Sequence, residues 1–382
     1  MEGKYGNRLI HTLGFVRRER LRSSIAKLVD WEPLRSPEPG CTAIVGVCSR
    51  LPDVLAANIR CLTSWRWPEL KQLIAVFDCE VNDTTLALKE QLQQSYPELD
   101  IKSLHYSTNQ SRVAEELKLP YVYCWLSWCI AIKHVKTSSM LIHDYDALVL
   151  GPALQERYDA FVASKAKFQG IAWYLSNGVK EDDRLATTFE SFADTAWLRS
   201  QRPIDLFNKV RAVNGRSIDF DITLESQHRL LKPEERTILP MCQDQLVHPS
   251  QMIHQYTMFR HSPGKALPSS TVIMIPFFAY LSGSHEVLRR ANRELISKGS
   301  GNGIDLLGDG TSVNLSLLNI GQVDWALKQM TQASLGLAIQ PDKTIYEYGV
   351  ALYKTIGAAP EDVWRGDFTS QQREWIDAAK IV

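Results

Sequence analysis

Residues 138–151 read Ser-Ser-Met-Leu-Ile-His-Asp-Tyr-Asp-Ala-Leu-Val-Leu-Gly. Met140, Leu141 and Ile142 form an apolar run too short for an independent helix, and the run stops at Asp144 and Asp146. Such a stretch reads as a buried strand followed by an acidic turn. Two carboxylates there can hold a divalent ion, because hard oxygen ligands suit magnesium or manganese and a pyrophosphate can supply the remaining ligands. A solvated acidic turn with no ligand carries the same residue types, so the surroundings have to decide.

Upstream, the pattern is regular. Residues 42–48 are a nearly continuous apolar run, as in a strand covered on both faces, and 53–65 have helical spacing behind Asp53 as an N-cap. A second strand is expected at 73–77, ending before Asp78, then a helix at 84–95 and a weaker strand at 101–106. An aromatic-rich helix at 121–135 leads into the strand before Asp144, with Trp125 and Trp128 read as core. Four strands alternating with three helices predict an open α/β sheet whose ligands lie beyond the carboxyl ends of the strands. Ser49, Arg50, Asp78, Asp144 and Asp146 all fall at such ends. The turn after residue 48 lacks Gly-X-Gly-X-X-Gly, and there is no Gly-Lys-Ser/Thr loop, which disfavours a dinucleotide dehydrogenase or a P-loop enzyme.

Downstream, the order loosens. A strand is expected at 170–175 and a helix at 187–197, and a second acidic pair, Asp219 and Asp221, is assigned to the surface or the acceptor side. Residues 240–285 alternate short apolar runs with polar groups, and helices are expected at 286–298, 313–331, 345–356 and 370–381. The glycine-rich stretches 298–303 and 308–310 carry Asp309 where a phosphate loop needs lysine, so they read as a linker or lid.

Residues 1–32 set Lys4, Arg8, Arg17, Arg18, Arg20, Arg22 and Lys27 beside apolar Leu9, Ile10, Leu13, Phe15 and Leu21. A helix packed on its own protein with a solvated outer face accounts for this pattern, and so does peripheral contact with an anionic membrane surface. Pro33, Pro37, Pro39 and Gly40 then break the chain, giving a basic extension at 1–40, a main domain at 41–285 and a helical region at 286–382.

Composition narrows the classes. The 382 residues can bury a large core, and Lys plus Arg equals Asp plus Glu at 43 each, so no overall field recruits nucleic acid. The 7 cysteines form no Cys-X-X-Cys pair or zinc spacing, and free thiols in a reducing cytoplasm fit them. No stretch approaches the roughly 20 apolar residues of a membrane span. A soluble cytoplasmic protein is expected, with the inner membrane surface as its alternative location.

With this arrangement, residues 41–285 resemble glycosyltransferases of the GT-A fold: a strand with a polar end, a helix, a strand ending at Asp78, and an apolar strand closing on Asp144-Tyr-Asp146. The resemblance implies a GT-A-like open mixed sheet with a Rossmann-like nucleotide-binding half, flanked by helices, and a helical C-terminal appendage. It implies metal-dependent transfer of a sugar from a nucleoside-diphosphate sugar to a hydroxyl of a saccharide, lipid or protein acceptor. Asp146 would hold Mn2+ or Mg2+, with Asp144 reaching metal or ribose. Ser49 and Arg50 would line the nucleotide pocket, and Asp78 would face the base. Members similar to glycogenin add a histidine from His-X-X-Gly followed by lysine and proline. Here His261-Ser-Pro-Gly264-Lys265-Ala-Leu-Pro268 matches at His, Gly and Pro, with the lysine two places early, so His261 is the implied third ligand. Gln243-Asp244-Gln245 resembles the Asp-Gln element that contacts the donor sugar, and Asp244 equally suits the base of an inverting reaction.

Other classes share parts of this pattern. A phosphatase resembling the haloacid dehalogenase group also places Asp-X-Asp after an apolar strand but wants Gly-Thr next, where Ala147 and Leu148 stand. Nucleotidyltransferases share the half-fold and favour a glycine-rich first turn, which residues 48–53 lack. A nucleotide-sugar-binding protein without turnover is the non-enzymatic alternative.

Overall fold

The computed structural model describes residues 2–172, 185–240, 245–267, 270–299, 301–339 and 342–358, with 370, 373, 374 and 377. The chain enters through β1 (Glu2–Gly3) and α1 (Arg8–Ile25). The expected alternation follows as β2 (Glu38–Val47), α2 (Pro52–Thr63), β3 (Leu70–Phe77), α3 (Asp83–Ser95), β4 (Asp100–His105), α4 (Thr108–Leu117), α5 (Pro120–His134) and β5 (Thr137–His143). Next come β6 (Leu148–Val149), α6 (Ala153–Ser164), β7 (Phe168–Ala172), β8 (Ala186–Asp194), α7 (Thr195–Arg199), β9 (Lys209–Val213), β10 (Arg216–Phe220), α8 (Leu224–Leu230), β11 (Arg236–Leu239) and β12 (Leu246–Val247). Helices α9 (Met252–His261), α10 (Ile275–Leu281), α11 (His285–Lys298), α12 (Ile320–Gly336) and α13 (Lys343–Thr355) complete the order.

These elements form two compact units. Met1–Pro52, Arg66–Tyr145 and Pro152–Cys242 make the first, and Asp53–Trp65, Asp146–Gly151 and Gln243–Val382 the second.

The first unit is built on a seven-stranded sheet in the order β11-β7-β8-β5-β2-β3-β4. Strands β5, β2, β3 and β4 run parallel, whereas β8 is antiparallel to both β5 and β7. The sheet is therefore open and mixed. Helix α5 covers it, starting at Pro120 as a first-turn proline and burying Val122, Trp125, Leu126, Trp128 and Cys129. Trp125 and Trp128 are core, and the Trp125 indole donates to the Pro203 carbonyl at 2.9 Å. The helix approaches β2 so closely that a Cβ on Gly46 would stand 2.8 Å from the Ser127 Cβ. Gly46→Val is expected to cost about 2–3 kcal/mol by overpacking, read from the midpoint of urea unfolding.

Two segments depart from expectation. The helix expected at 187–197 is β8 followed by the single turn of α7. Sitting between β5 and β7, β8 has Phe189, Phe192 and Ala193 buried, and this burial of neighbouring positions hides the period-2 signal of a strand. Helix α4 was not anticipated, although Ser107 and Gln110 form its capping box. Of the strand expected at 170–175, residues 170–172 belong to β7 and the rest lie outside the described residues.

A smaller sheet, β1-β10-β9, carries helix α1. Here the second acidic pair is tied into the structure, contrary to its surface or acceptor-side assignment. Asp219 accepts from the Tyr5 hydroxyl at 2.9 Å and pairs with Arg18 at 3.3 Å, while Asp221 accepts from the Asn208 amide at 2.7 Å and the Ile222 N–H at 2.8 Å. Beside them, buried Glu225 meets Lys209 at 3.0 Å and both Arg211 and Arg229 at 3.4 Å.

The second unit contains α2, the antiparallel pair β6–β12 and helices α9–α13. The glycine-rich connector is held by local contacts: Asp305 accepts from the N–H groups of Gly308 and Gly310, and Asp309 from the Tyr256 hydroxyl at 2.6 Å. The helix expected from 313 begins instead at Ile320, capped by Asn319 with Gln322, because Val313 bridges to Ile304. Most of the helix expected at 370–381 lies outside the described residues.

Candidate metal and nucleotide site

The site begins where the parallel strands end. Val47 of β2 pairs with Phe77 of β3, and Val45 with His143 of β5, so the three carboxyl ends stand side by side at about 4.8 Å per strand. The Ser49 N–H donates to the Asp78 carboxylate at 2.8 Å, joining the turns after β2 and β3. Burial pushes the Asp78 carboxyl above the usual carboxylate range, against the opposing pull of the Ser49 hydrogen bonds and the Arg50 charge. Sequence-predicted Ser49, Arg50 and Asp78 thus form one cluster.

Beyond β5, the Asp144 N–H donates to the Phe189 carbonyl at 2.8 Å, and the Tyr145 hydroxyl donates to the Leu51 carbonyl at 3.2 Å. The turn is therefore pinned at Asp144 and at its central residue, Tyr145. Asp146 lies two residues before the short strand β6, and helix α2 fixes the stretch that follows it. The Asn58 amide donates to the Ala147 carbonyl at 3.0 Å, and the Cys61 thiol to the Val149 carbonyl at 3.0 Å.

Strand β12 pairs with β6 in the register Val149↔Leu246 and Leu148↔Val247. Continuing that register sets His248 opposite Ala147, one residue from Asp146, and the half-buried His248 brings its Nε2 to 3.6 Å from Oδ1 of the buried Asp146. Asp144 lies two residues upstream on the same backbone, and one ligand atom from each of Asp144, Asp146 and His248 lies within 4.8 Å of the other two. Two carboxylate oxygens and an imidazole make a donor set that fits a divalent first-row ion such as manganese, with magnesium less favoured because it prefers oxygen alone.

Of the other expected residues, Gln245 closes the far end of the β6–β12 pair, its carbonyl accepting from the Leu150 N–H at 2.9 Å. Asp244 lies outside the described residues. His261 is the exposed last residue of α9 and is not a member of the Asp144–Asp146–His248 group. His248 went unnoticed in the sequence, where it follows only a two-residue apolar pair.

No family model matches the chain, and no curated protein matches it. Among solved structures it is similar to the mannosyltransferase PcManGT from Pyrobaculum calidifontis in complex with GDP-Man and Mn2+, at 13% identity and TM-score 0.37 over 86% of this chain and 94% of that one. It is also similar to residues 1–349 of TarS from S. aureus, at 15% identity and TM-score 0.32 over 83% and 88%. A 4-diphosphocytidyl-2C-methyl-D-erythritol synthase matches at 10% identity and TM-score 0.32 over 58% and 98%. The functional reading rests on the chain's own side chains.

Proposed function

We propose that the protein is a metal-dependent glycosyltransferase that moves a sugar from a nucleoside-diphosphate sugar to an acceptor hydroxyl. The observation that carries this reading is the grouping of Asp144, Asp146 and His248. Those three residues would hold Mn2+ or Mg2+, His248 taking the place that the sequence resemblance gave to His261. When bound, such an ion supplies positive charge against the diphosphate as it departs. Asp144 and Asp146 bring their carboxylates to one turn and hold them there through the fixed backbone of β5 and β6. Asp78, held by the Ser49 N–H, presents a buried acceptor for the donor groups of a nucleobase, and Arg50 offers its guanidinium beside it. Asp244 is proposed to take the acceptor hydroxyl's proton, with Gln245 beside it as a donor-sugar contact.

The test is a thermal-shift series with GDP, UDP and other nucleoside diphosphates, with and without manganese. At saturating diphosphate, the melting temperature is expected to rise by about 3 °C with manganese and to stay put without it. Incubation with nucleoside-diphosphate sugars should then release the diphosphate. Pyrophosphate release from a nucleoside triphosphate would make the protein a nucleotidyltransferase. Stabilisation by beryllium fluoride without nucleotide would make it a phosphatase.

A further inference from the structure

Helix α1 has two faces. His11, Phe15, Arg18 and Arg22, at i, i+4, i+7 and i+11, turn toward the protein: His11 Nδ1 lies 2.7 Å from the Ser217 hydroxyl, Arg18 pairs with Asp219 and lies 5.0 Å from the Tyr121 ring centre, and buried Arg22 donates to the Phe207 carbonyl at 3.1 Å. The same spacing started two residues earlier gives Leu9, Leu13, Val16 and Arg20, on the opposite face of the helix. Leu9 is 67% exposed and Leu13 62%, with Ile10 at 51% and Val16 at 40%. Three large apolar side chains in line on an outward helix face, with Ile10 on its flank, are more than the scattered exposure of an ordinary surface.

Charge identifies what covers them. Lys4, Arg8, Arg17, Arg20 and Lys27 are exposed on or beside this face, and none is in an ion pair among the described residues. The nearby acids are spoken for: Glu2 pairs with Arg216, Glu19 with Arg22, and Asp219 with Arg18. An apolar strip rimmed by unpaired cations matches the boundary between acyl chains and acidic headgroups, and a protein partner would need its own acidic rim around a greasy cleft. Among the described residues no helix is long and apolar enough to cross a membrane, so contact of this kind lies in the plane of the surface. We propose that the outer face of α1 docks the protein peripherally on an anionic lipid bilayer, with Leu9, Leu13 and Val16 entering the headgroup boundary and Arg8, Arg17 and Arg20 meeting acidic lipids.

The test is flotation of the full chain with vesicles of phosphatidylcholine alone or mixed with phosphatidylglycerol. The protein should float with the mixed vesicles, remain behind with phosphatidylcholine alone, and detach as salt is raised. Each surface cation contributes about fivefold to partitioning, so Arg17→Gln with Arg20→Gln should weaken binding about 25-fold. Leu9→Glu with Leu13→Glu should abolish flotation while leaving the melting temperature in place, since both side chains are exposed. Failure of the unaltered protein to float with the acidic vesicles overturns the proposal, as does equal flotation of the leucine variant. Leu13-dependent self-association in sedimentation without lipid also overturns it, in favour of a second copy as the covering partner.

Discussion

Replacing Asp146 by asparagine is expected to abolish the manganese-dependent thermal shift and to lower the rate of sugar transfer about 10²–10³-fold. The substitution keeps the side chain's shape and removes the negative charge that a dication needs, so the fold should persist while ion binding fails. His248→Ala should reproduce the loss, because its imidazole approaches the same carboxylate at 3.6 Å. If the two groups act through one ion, the double variant loses little beyond either single one, since the second change removes a ligand from a site already empty. Measuring initial rates across a manganese titration separates weakened ion affinity from weakened chemistry. Wild-type turnover by Asp146→Asn would end the metal-site reading.

The largest expected loss of stability lies elsewhere, at Glu225. Its side chain is 5% exposed and that of Lys209 4%, and Arg211 and Arg229 converge on the same carboxylate. Removing one member of a buried ion pair leaves its partner charged and desolvated, so Glu225→Ala should cost about 3–5 kcal/mol in urea unfolding. A milder Glu225→Gln change keeps an acceptor for Lys209 and should cost less. Burial pushes the Glu225 carboxyl up, but the hydrogen bond and charge of Lys209, followed by the charges of Arg229 and Arg211, more than offset this and leave it below the usual range. A carboxyl with a depressed folded pKa stabilises the protein above its unfolded value of about 4.3, and this contribution is lost as pH falls through the folded value. The acid limb of a stability profile below about pH 4 should therefore be shallower in Glu225→Gln than in the unaltered protein.

How much of this could be read from the chain depended on how local each signal was. The run ending at Asp144 and Asp146 was legible because an apolar strand closing on two carboxylates is written in a dozen consecutive residues. Ser49 and Asp78 were legible for the same reason, each terminating its own strand. Strand β8 was not, because a strand inserted between β5 and β7 loses the alternation that identifies strands, and Phe189, Phe192 and Ala193 mimic helical spacing. Helix α4 announced itself only through Ser107 and Gln110, a signal outweighed by its polar composition. His248 was beyond reach. Its nearness to Asp146 comes from pairing between segments about a hundred residues apart, and no local pattern encodes such pairing. His261 offered the better motif and lies at the exposed end of α9.

The β6–β12 ladder that delivers His248 has two residues on each side. So short a ribbon has little cooperative reserve, and its opening is governed locally rather than by the melting of the whole chain. On the proposed metal reading, ion affinity is multiplied by the fraction of time the ribbon is shut, and a captured ion would in turn act as a rivet between distant stretches of polypeptide. Substitutions at Leu246 or Leu148, which lie outside the Asp144–Asp146–His248 group, would then reset the concentration of manganese at which the proposed thermal shift appears.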